Sequence, residues 1–551
     1  MRSISILLPF ILFCAGALRA QQADIIFVNG KIWTVDDARP SAEAVAVLGG
    51  KIAAVGSTAE IRALASPSTT VVDLKSKLLL PGFIDNHTHF MSGGFQLQSV
   101  DLRYADTEKD FARLIAERSA AYPGRWITGG DWDHDRWKGG HLPVKELIDK
   151  STPTTPVFVN RYDGHMALAN SYVLRLAGVT KTTPDPPGGT IVKDPATGEP
   201  TGVLKDEAMS YVNKIIPDPS DSEMIDAARI ALEEARKCGV TSIQDMSYQA
   251  AVRIYQQLRA KGELTARFYS RLPISECEHL IATGIHVPFG DDWISIGSLK
   301  AFADGSLGST TALFCEPFLS DPTTHGLASD IVLDGRLTKW AVAADLAGLQ
   351  LSIHSIGDSA NTLMLDLFEK IVKENPSWDR RFRLEHAQHI RPADFDRFAK
   401  LGVIASVQPY HAIDDGRWAE ERIGHERCKT TYPFKTFLDH NVMMCFGSDW
   451  TVAPLSPLLG IYAAVTRRTL DGKNPGGWFP EEKISVKEAI KAYTINNAYA
   501  AFEENKKGTV TVGKLADFVV LSDDILTIDP AKIETTQVEM TVLGGRVIYK
   551  K

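Results

Sequence analysis

The sequence predicts an α/β protein built on a (β/α)8 TIM barrel, with a small composite β-sandwich domain made from both chain ends and a large insertion after the first barrel strand. Three observations predict it. Eight short apolar runs alternate with amphipathic helical stretches through the middle of the chain, the pattern of parallel βα units. The two ends share a different texture, short β-branched runs broken by Asn29-Gly30, Gly49-Gly50 and Gly544-Gly545. Histidine, lysine and aspartate fall repeatedly at or near the C-terminal ends of the middle runs, where a barrel of this kind assembles its active site.

The first twenty residues, MRSISILLPFILFCAGALRA, have the positive start, apolar run and small-residue end of a secretory signal. The apolar run is shorter than the ~20 residues of a spanning helix, so we expect cleavage after Ala20 and a mature protein that is periplasmic or secreted. Residues 21–80 form the N-terminal part of the β-sandwich, and residues 506–551 supply its C-terminal part. Residues 81–505 form the barrel, with strands expected at 82–89, 241–246, 266–274, 295–305, 349–358, 381–388, 402–409 and 442–450. The stretch at about 95–225, rich in Trp, Pro and Gly, breaks the rhythm and is read as the insertion, projecting over the active face or forming a separate small unit. Its Trp126, Trp132 and Trp137 either line an apolar mouth or simply pack.

Composition narrows the function classes. The 551 residues are 44% hydrophobic and 23% charged with a net charge of −8, a profile that suits a globular protein and gives no basic surface for nucleic acid. Beyond the signal no stretch is apolar enough to span a membrane. The five cysteines outside the signal are scattered and odd in number, which is no disulfide framework.

His87 and His89 stand two apart on the first strand and so emerge from one face. Lys300 lies on the fourth strand, His354 ends the fifth, His386 the sixth and Asp449 the eighth. Neutral imidazoles and a carboxylate suit Zn2+ or a similar divalent ion. Four His and one Asp exceed what one catalytic ion keeps, so a pair of ions is natural, with one ion left open. An ammonium repels a cation, but a Lys300 carboxylated by carbon dioxide would be an anionic bridge. Taken singly, each residue has a plain alternative: a core histidine, a salt-bridged lysine, a turn aspartate. Their recurrence at separate strand ends favours the common site.

The motifs LPGFIDNHTH (80–89), SLKAFADGSLGS (298–309), SIHSIGD (352–358), RLEHAQ (383–388) and FGSDW (446–450) resemble the metal-dependent amidohydrolase superfamily. More narrowly they are similar to its amidohydrolase-3 group, which includes N-substituted formamide deformylases. The likeness runs from Ala23 to the C-terminus and takes in GDWD (130–133) and RYDGHMALAN (161–170). The resemblance implies that His87, His89 and Asp449 bind the more buried ion, that His354 and His386 bind the second, and that Lys300 is the carboxylated bridge. It implies hydrolysis of a non-peptide amide-type C–N bond in a small molecule by a metal-activated hydroxide, with Asp449 as proton shuttle. Asp163, His165 and His411 are the candidate substrate contacts, and His389 is expected to support the site from behind. An ester, lactone or phosphotriester hydrolase on the same ligands is the alternative; an exported binding protein without catalysis is a weaker one. A small-molecule substrate is the expected partner, and a homodimer stays open.

Overall fold

The computed structural model describes residues 22–551 apart from 104, 135, 136, 139, 162–165, 187, 188, 249 and 309. The signal segment, Asp163 and His165 therefore lie outside the described residues.

Eight strands form the barrel: β1 (Phe83–Thr88), β2 (Val240–Met246), β3 (Arg267–Pro273), β4 (Ile294–Phe302), β5 (Leu351–Ser355), β6 (Arg383–His386), β7 (Ile404–Val407) and β8 (Met444–Phe446). Each pairs in parallel with its neighbour in chain order. The seam between β8 and β1 is closed by a parallel bridge between Thr88 and Trp450. The Asp449 amide also donates to the His87 carbonyl at 2.7 Å, and the His89 amide to the Trp450 carbonyl at 2.7 Å. Gly447 permits this closure, since a Cβ there would stand 2.4 Å from Asn86 Oδ1 and 2.6 Å from the His87 amide nitrogen. All eight expected strand positions are occupied by barrel strands.

The outer helices follow from local sequence. Helix Asp221–Lys237 begins at Ser220, whose side chain and that of Glu223 close a capping box, and it buries Met224, Ala227, Ala228, Ala231, Leu232 and Ala235 along one stripe. The helix Phe90–Gln98 starts immediately after His89, so the second histidine of the pair is fixed at a strand-to-helix junction.

The chain ends meet. In a six-stranded sheet, Leu78–Pro81 pairs antiparallel with Phe518–Leu521, so an N-terminal strand sits directly beside a C-terminal one. A four-stranded sheet of residues 25–28, 44–48, 51–56 and 70–73 shares an apolar cluster with it, including Phe27, Val45, Leu79, Phe518 and Val542. This part is tied to the barrel by the buried pair of Arg267 at the start of β3 and Asp517, with Nε–Oδ2 at 2.6 Å and Nη2–Oδ1 at 2.9 Å. Between β1 and β2, residues 127–132, 157–161, 166–169, 189–193 and 200–206 form a five-stranded sheet with apolar clusters of its own. There Trp132 and Trp137 are core residues whose indole N–H groups donate to the carbonyls of Val159 at 2.8 Å and Ala105 at 2.7 Å. Packing, not a mouth, accounts for both. Among the described residues no helix is long and apolar enough to cross a membrane, and all five cysteines are free thiols.

Candidate active site

His87, His89, Lys300, His354, His386, His411 and Asp449 all line one cavity of about 400 Å3 at the C-terminal end of the barrel. His87 leaves the end of β1 with its ring centroid 5.9 Å from that of His89 and 5.0 Å from that of His386. The ring of His386 lies 4.5 Å from His354 and stacks at 6.4 Å with His411. Asp449 Oδ1 faces both members of the histidine pair, 3.5 Å from His87 Nε2 and 3.3 Å from His89 Nε2.

Two triads bring their ligand atoms within 4.8 Å of one another: His87, His89 and Asp449, and His386, His411 and Asp449. Asp449 belongs to both and so stands where two positive centres could share it. His354 lines the cavity but joins neither triad; its Nε2 meets the Gly305 carbonyl at 2.9 Å, which leaves Nδ1 as its open nitrogen. His411, expected to contact substrate, reaches the second triad from the helix Pro409–Asp415 after β7.

Ring orientations are set by hydrogen bonds on the far nitrogens. His87 Nδ1 donates to Glu385 Oε2 at 2.5 Å, and His386 Nδ1 donates to Gln408 Oε1 at 2.8 Å. Each bond commits Nδ1 as the N–H and leaves the Nε2 lone pair to the cavity. Three buried polar atoms here have no hydrogen-bond partner: His87 Nε2, Lys300 Nζ and His411 Nε2. Leaving such atoms unpaired in a protein interior is costly, and imidazole lone pairs converging on a carboxylate, as those of His87 and His411 do on Asp449, are what a divalent cation satisfies. The donor set therefore fits a metal ion.

Electrostatics agree. Burial, with Lys300 nearby, lowers the His87 ring to about 3 and the His354 ring to about 4. Burial and His354 push His386 well below the usual range. These imidazoles are neutral at pH 7, the form that ligates metal. Burial lowers Lys300 to about 8. Burial acts to raise Asp449, yet His87, His89 and His386 hold its carboxyl well below the ordinary carboxylate range. Both Asp449, at φ 55°, and His386, at φ 72°, occupy the left-handed region, which is rare for such residues and concentrated at functional sites.

Sequence reasoning missed what lies beneath. Glu385 on β6 is fully buried inside the barrel, with Oε1 2.9 Å from Arg271 Nη1 and 3.1 Å from Arg383 Nε, and it accepts the Ser406 hydroxyl at 2.6 Å. Burial alone would raise its carboxyl, but the two guanidinium groups keep it well below the usual range. Barrel interiors are normally packed with branched apolar side chains; here the layer under the histidines is ionic. The alternation in RLEH, which puts Arg383 and Glu385 on one face of a strand, was the available signal. Asp85 is a second such support, accepting the His87 amide at 3.1 Å and the Ser448 amide at 3.0 Å and so binding β1 to the Gly447-Ser448-Asp449 turn. His389 sits behind the site, with Nδ1 2.7 Å from Thr431 Oγ1.

Comparison with known proteins accords with this geometry. The chain is 38% identical to protein LONG AFTER FAR-RED 3 of Arabidopsis thaliana over 541 residues, 96% of this chain and 92% of that one. It is 26% identical to the N-substituted formamide deformylase of Arthrobacter pascens over 553 residues, 96% of this chain and 99% of that one. Among solved structures, a metal-dependent hydrolase of Pyrococcus horikoshii OT3 superposes with a TM-score of 0.78 at 28% identity, covering 92% of this chain and 99% of that one. The profile of the amidohydrolase family, in its amidohydrolase-3 group, matches residues 70–549, and the chain belongs to that family.

Proposed function

We propose that the protein is a metal-dependent hydrolase that cleaves a non-peptide amide-type C–N bond of a small molecule, acting outside the cytoplasm after loss of its leader. The observation that carries this proposal is the convergence of His87, His89, Lys300, His354, His386 and Asp449 on one cavity, with orphaned nitrogen atoms aimed into it. His87, His89 and Asp449 would hold one divalent ion, Zn2+ or a similar metal; His386 and His354, with His411 close by, would hold a second, and a carboxylated Lys300 would bridge them. A Lys300 amine lowered to about 8 is neutral in about one molecule in ten at pH 7, far more than an ordinary lysine, and the neutral form is the one that combines with carbon dioxide. A bound ion supplies acidification of water and polarisation of the substrate carbonyl.

The chain's own residues do the rest. Asp449, through the carboxylate oxygen not turned to His87 and His89, would take the proton of the attacking water and return it to the departing nitrogen, because an amine leaves poorly as an anion. His411 would steady the carbonyl oxygen. Trp418, Leu307 and Phe302 give the cavity apolar walls for the substrate body. The amide preference draws support from the formamide deformylase relative. The test is a panel of N-acyl amines, N-acyl amino acids, lactones and a phosphotriester, run with metal-loaded and chelated protein. Amide turnover that disappears on chelation and returns with Zn2+ or Mn2+ is expected. Turnover of lactones or phosphotriesters with none of amides would replace the amide assignment.

A further inference from the structure

A second cavity, of about 220 Å3, lies where the inserted sheet meets the barrel, between the helix Phe90–Gln98, the helix Glu108–Ala121 and the start of helix Asp221–Lys237. Three features make it a built site. Arg118 lines it with no carboxylate paired to its guanidinium among the described residues; its ring contact is Tyr122, 3.7 Å away. Burial lowers its pKa, a side-chain hydrogen bond with Tyr122 acts the other way, and the neighbouring cation Arg125 lowers it further. Gln98, only 7% exposed, lines the same cavity, and among the described residues its side-chain amide has no protein hydrogen-bond partner.

The other charges around the cavity are spoken for. Glu223 accepts the Ser220 amide and hydroxyl at 2.9 and 2.7 Å, and Arg125 lies 3.4 Å from Asp226. The remaining walls combine the apolar side chains of Phe95, Trp126 and Pro217 with the hydroxyls of Ser99 and Thr128. A half-buried guanidinium and a buried side-chain amide lining one cavity, together with aromatic and proline side chains, match a carboxylate attached to a compact apolar body. The guanidinium fork binds both carboxylate oxygens and the amide donates to one of them.

We propose that this junction is a second ligand site, for an apolar monocarboxylate held by Arg118 and Gln98 against Phe95 and Trp126. The same chemical class is the acyl product of amide hydrolysis, and Phe95 also lines a hollow that reaches His89 and Tyr248. The binding claim itself does not depend on the metal or on the reaction.

Phenylacetate is the probe, titrated calorimetrically into the full mature protein. One-to-one binding is expected, unchanged by chelation and in the H87A variant. Arg118→Gln should weaken it at least about tenfold, the loss of a charge-assisted pair, and the neutral isostere phenylacetamide should bind wild type at least as much more weakly. Arg118 sits on a half-exposed helix face, so the variant should keep the wild-type melting temperature. Q98A, an independent variant, should also lose affinity. Absence of saturable binding, equal affinity in R118Q, or binding abolished in H87A would each overturn the proposal. The last would place the probe in the reaction cavity instead.

Discussion

Glu385→Gln removes one buried charge with almost no change of shape, and the structure fixes what should follow. The carboxylate holds the His87 N–H at 2.5 Å, so that Nε2 faces the triad as a lone pair. A glutamine must place either its oxygen or its amide toward His87. If the amide goes there, the imidazole tautomer is driven to the wrong nitrogen; if the oxygen goes there, the amide meets Arg271 and Arg383, which are donors themselves. A hydrogen bond to a charged group contributes about 1.5–3 kcal/mol, which at about 1.4 kcal/mol per decade is roughly 10- to 150-fold in affinity for the ion. Outer partners of metal ligands typically matter by about 10–100-fold. Removing the one carboxylate between two buried guanidinium groups should further cost about 3–5 kcal/mol of stability. Competition with a chromophoric chelator gives the Zn2+ affinity of wild type, E385Q, H87A and the double variant, and thermal melting of the metal-free proteins gives the stability term. If Glu385 acts through His87, the affinity loss should vanish in the H87A background while the melting shift persists. Wild-type affinity in E385Q, or an undiminished loss in the H87A background, would refute the reasoning.

Asp449→Asn should lower kcat by about 100- to 10,000-fold while cooperative melting is retained; near wild-type turnover on a chromogenic amide would remove Asp449 as the proton carrier. Asp517→Asn breaks the bidentate buried pair with Arg267 and should destabilise by about 3–5 kcal/mol, measured by urea unfolding, with kcat unaltered. A loss under about 1 kcal/mol would mean that the end sheets do not depend on this tie. His389 is buried and its ring is lowered to about 3 by burial and Arg427. Between the unfolded value near 6.5 and about 3, the unfolded chain binds a proton that the fold does not, so stability falls as pH falls, by up to about 1.4 kcal/mol per pH unit for this one group. H389N, followed by urea titration of metal-free protein across that range, should show a shallower acid-side decline; an unchanged slope would contradict the buried neutral ring.

Much of this architecture is legible in the chain because a barrel converts distant strand ends into neighbours. His87, Lys300, His354 and His386 could be placed on strands from their local runs of apolar residues, and Asp449 just beyond the last one, in the turn after Met444–Phe446; ring closure then did the assembling. The pairing of Leu78–Pro81 with Phe518–Leu521 was likewise foreshadowed by the matching texture of the two ends. What stayed hidden has physical reasons. Arg271, Arg383 and Glu385 read as ordinary charged residues, because a sequence shows a charge but not the neutralising partner that lets it be buried. The hydrogen bonds that choose which nitrogen of His354 stays open depend on the loop after β4, through Gly305, and no spacing rule reports that. The tryptophans of the insertion were ambiguous for the opposite reason: a large aromatic fits a core and a cavity wall alike until its N–H partner is known.

The central claim is that these side chains form a cage for divalent metal, and anomalous diffraction from crystals grown with Zn2+, recorded on both sides of the zinc edge, tests it most directly. The account predicts a peak bonded to His87, His89 and Asp449, with a second near His386 and density for a carboxyl group on Lys300 Nζ between them. A fully zinc-exposed crystal with no peak among His87, His89 and Asp449 would contradict it.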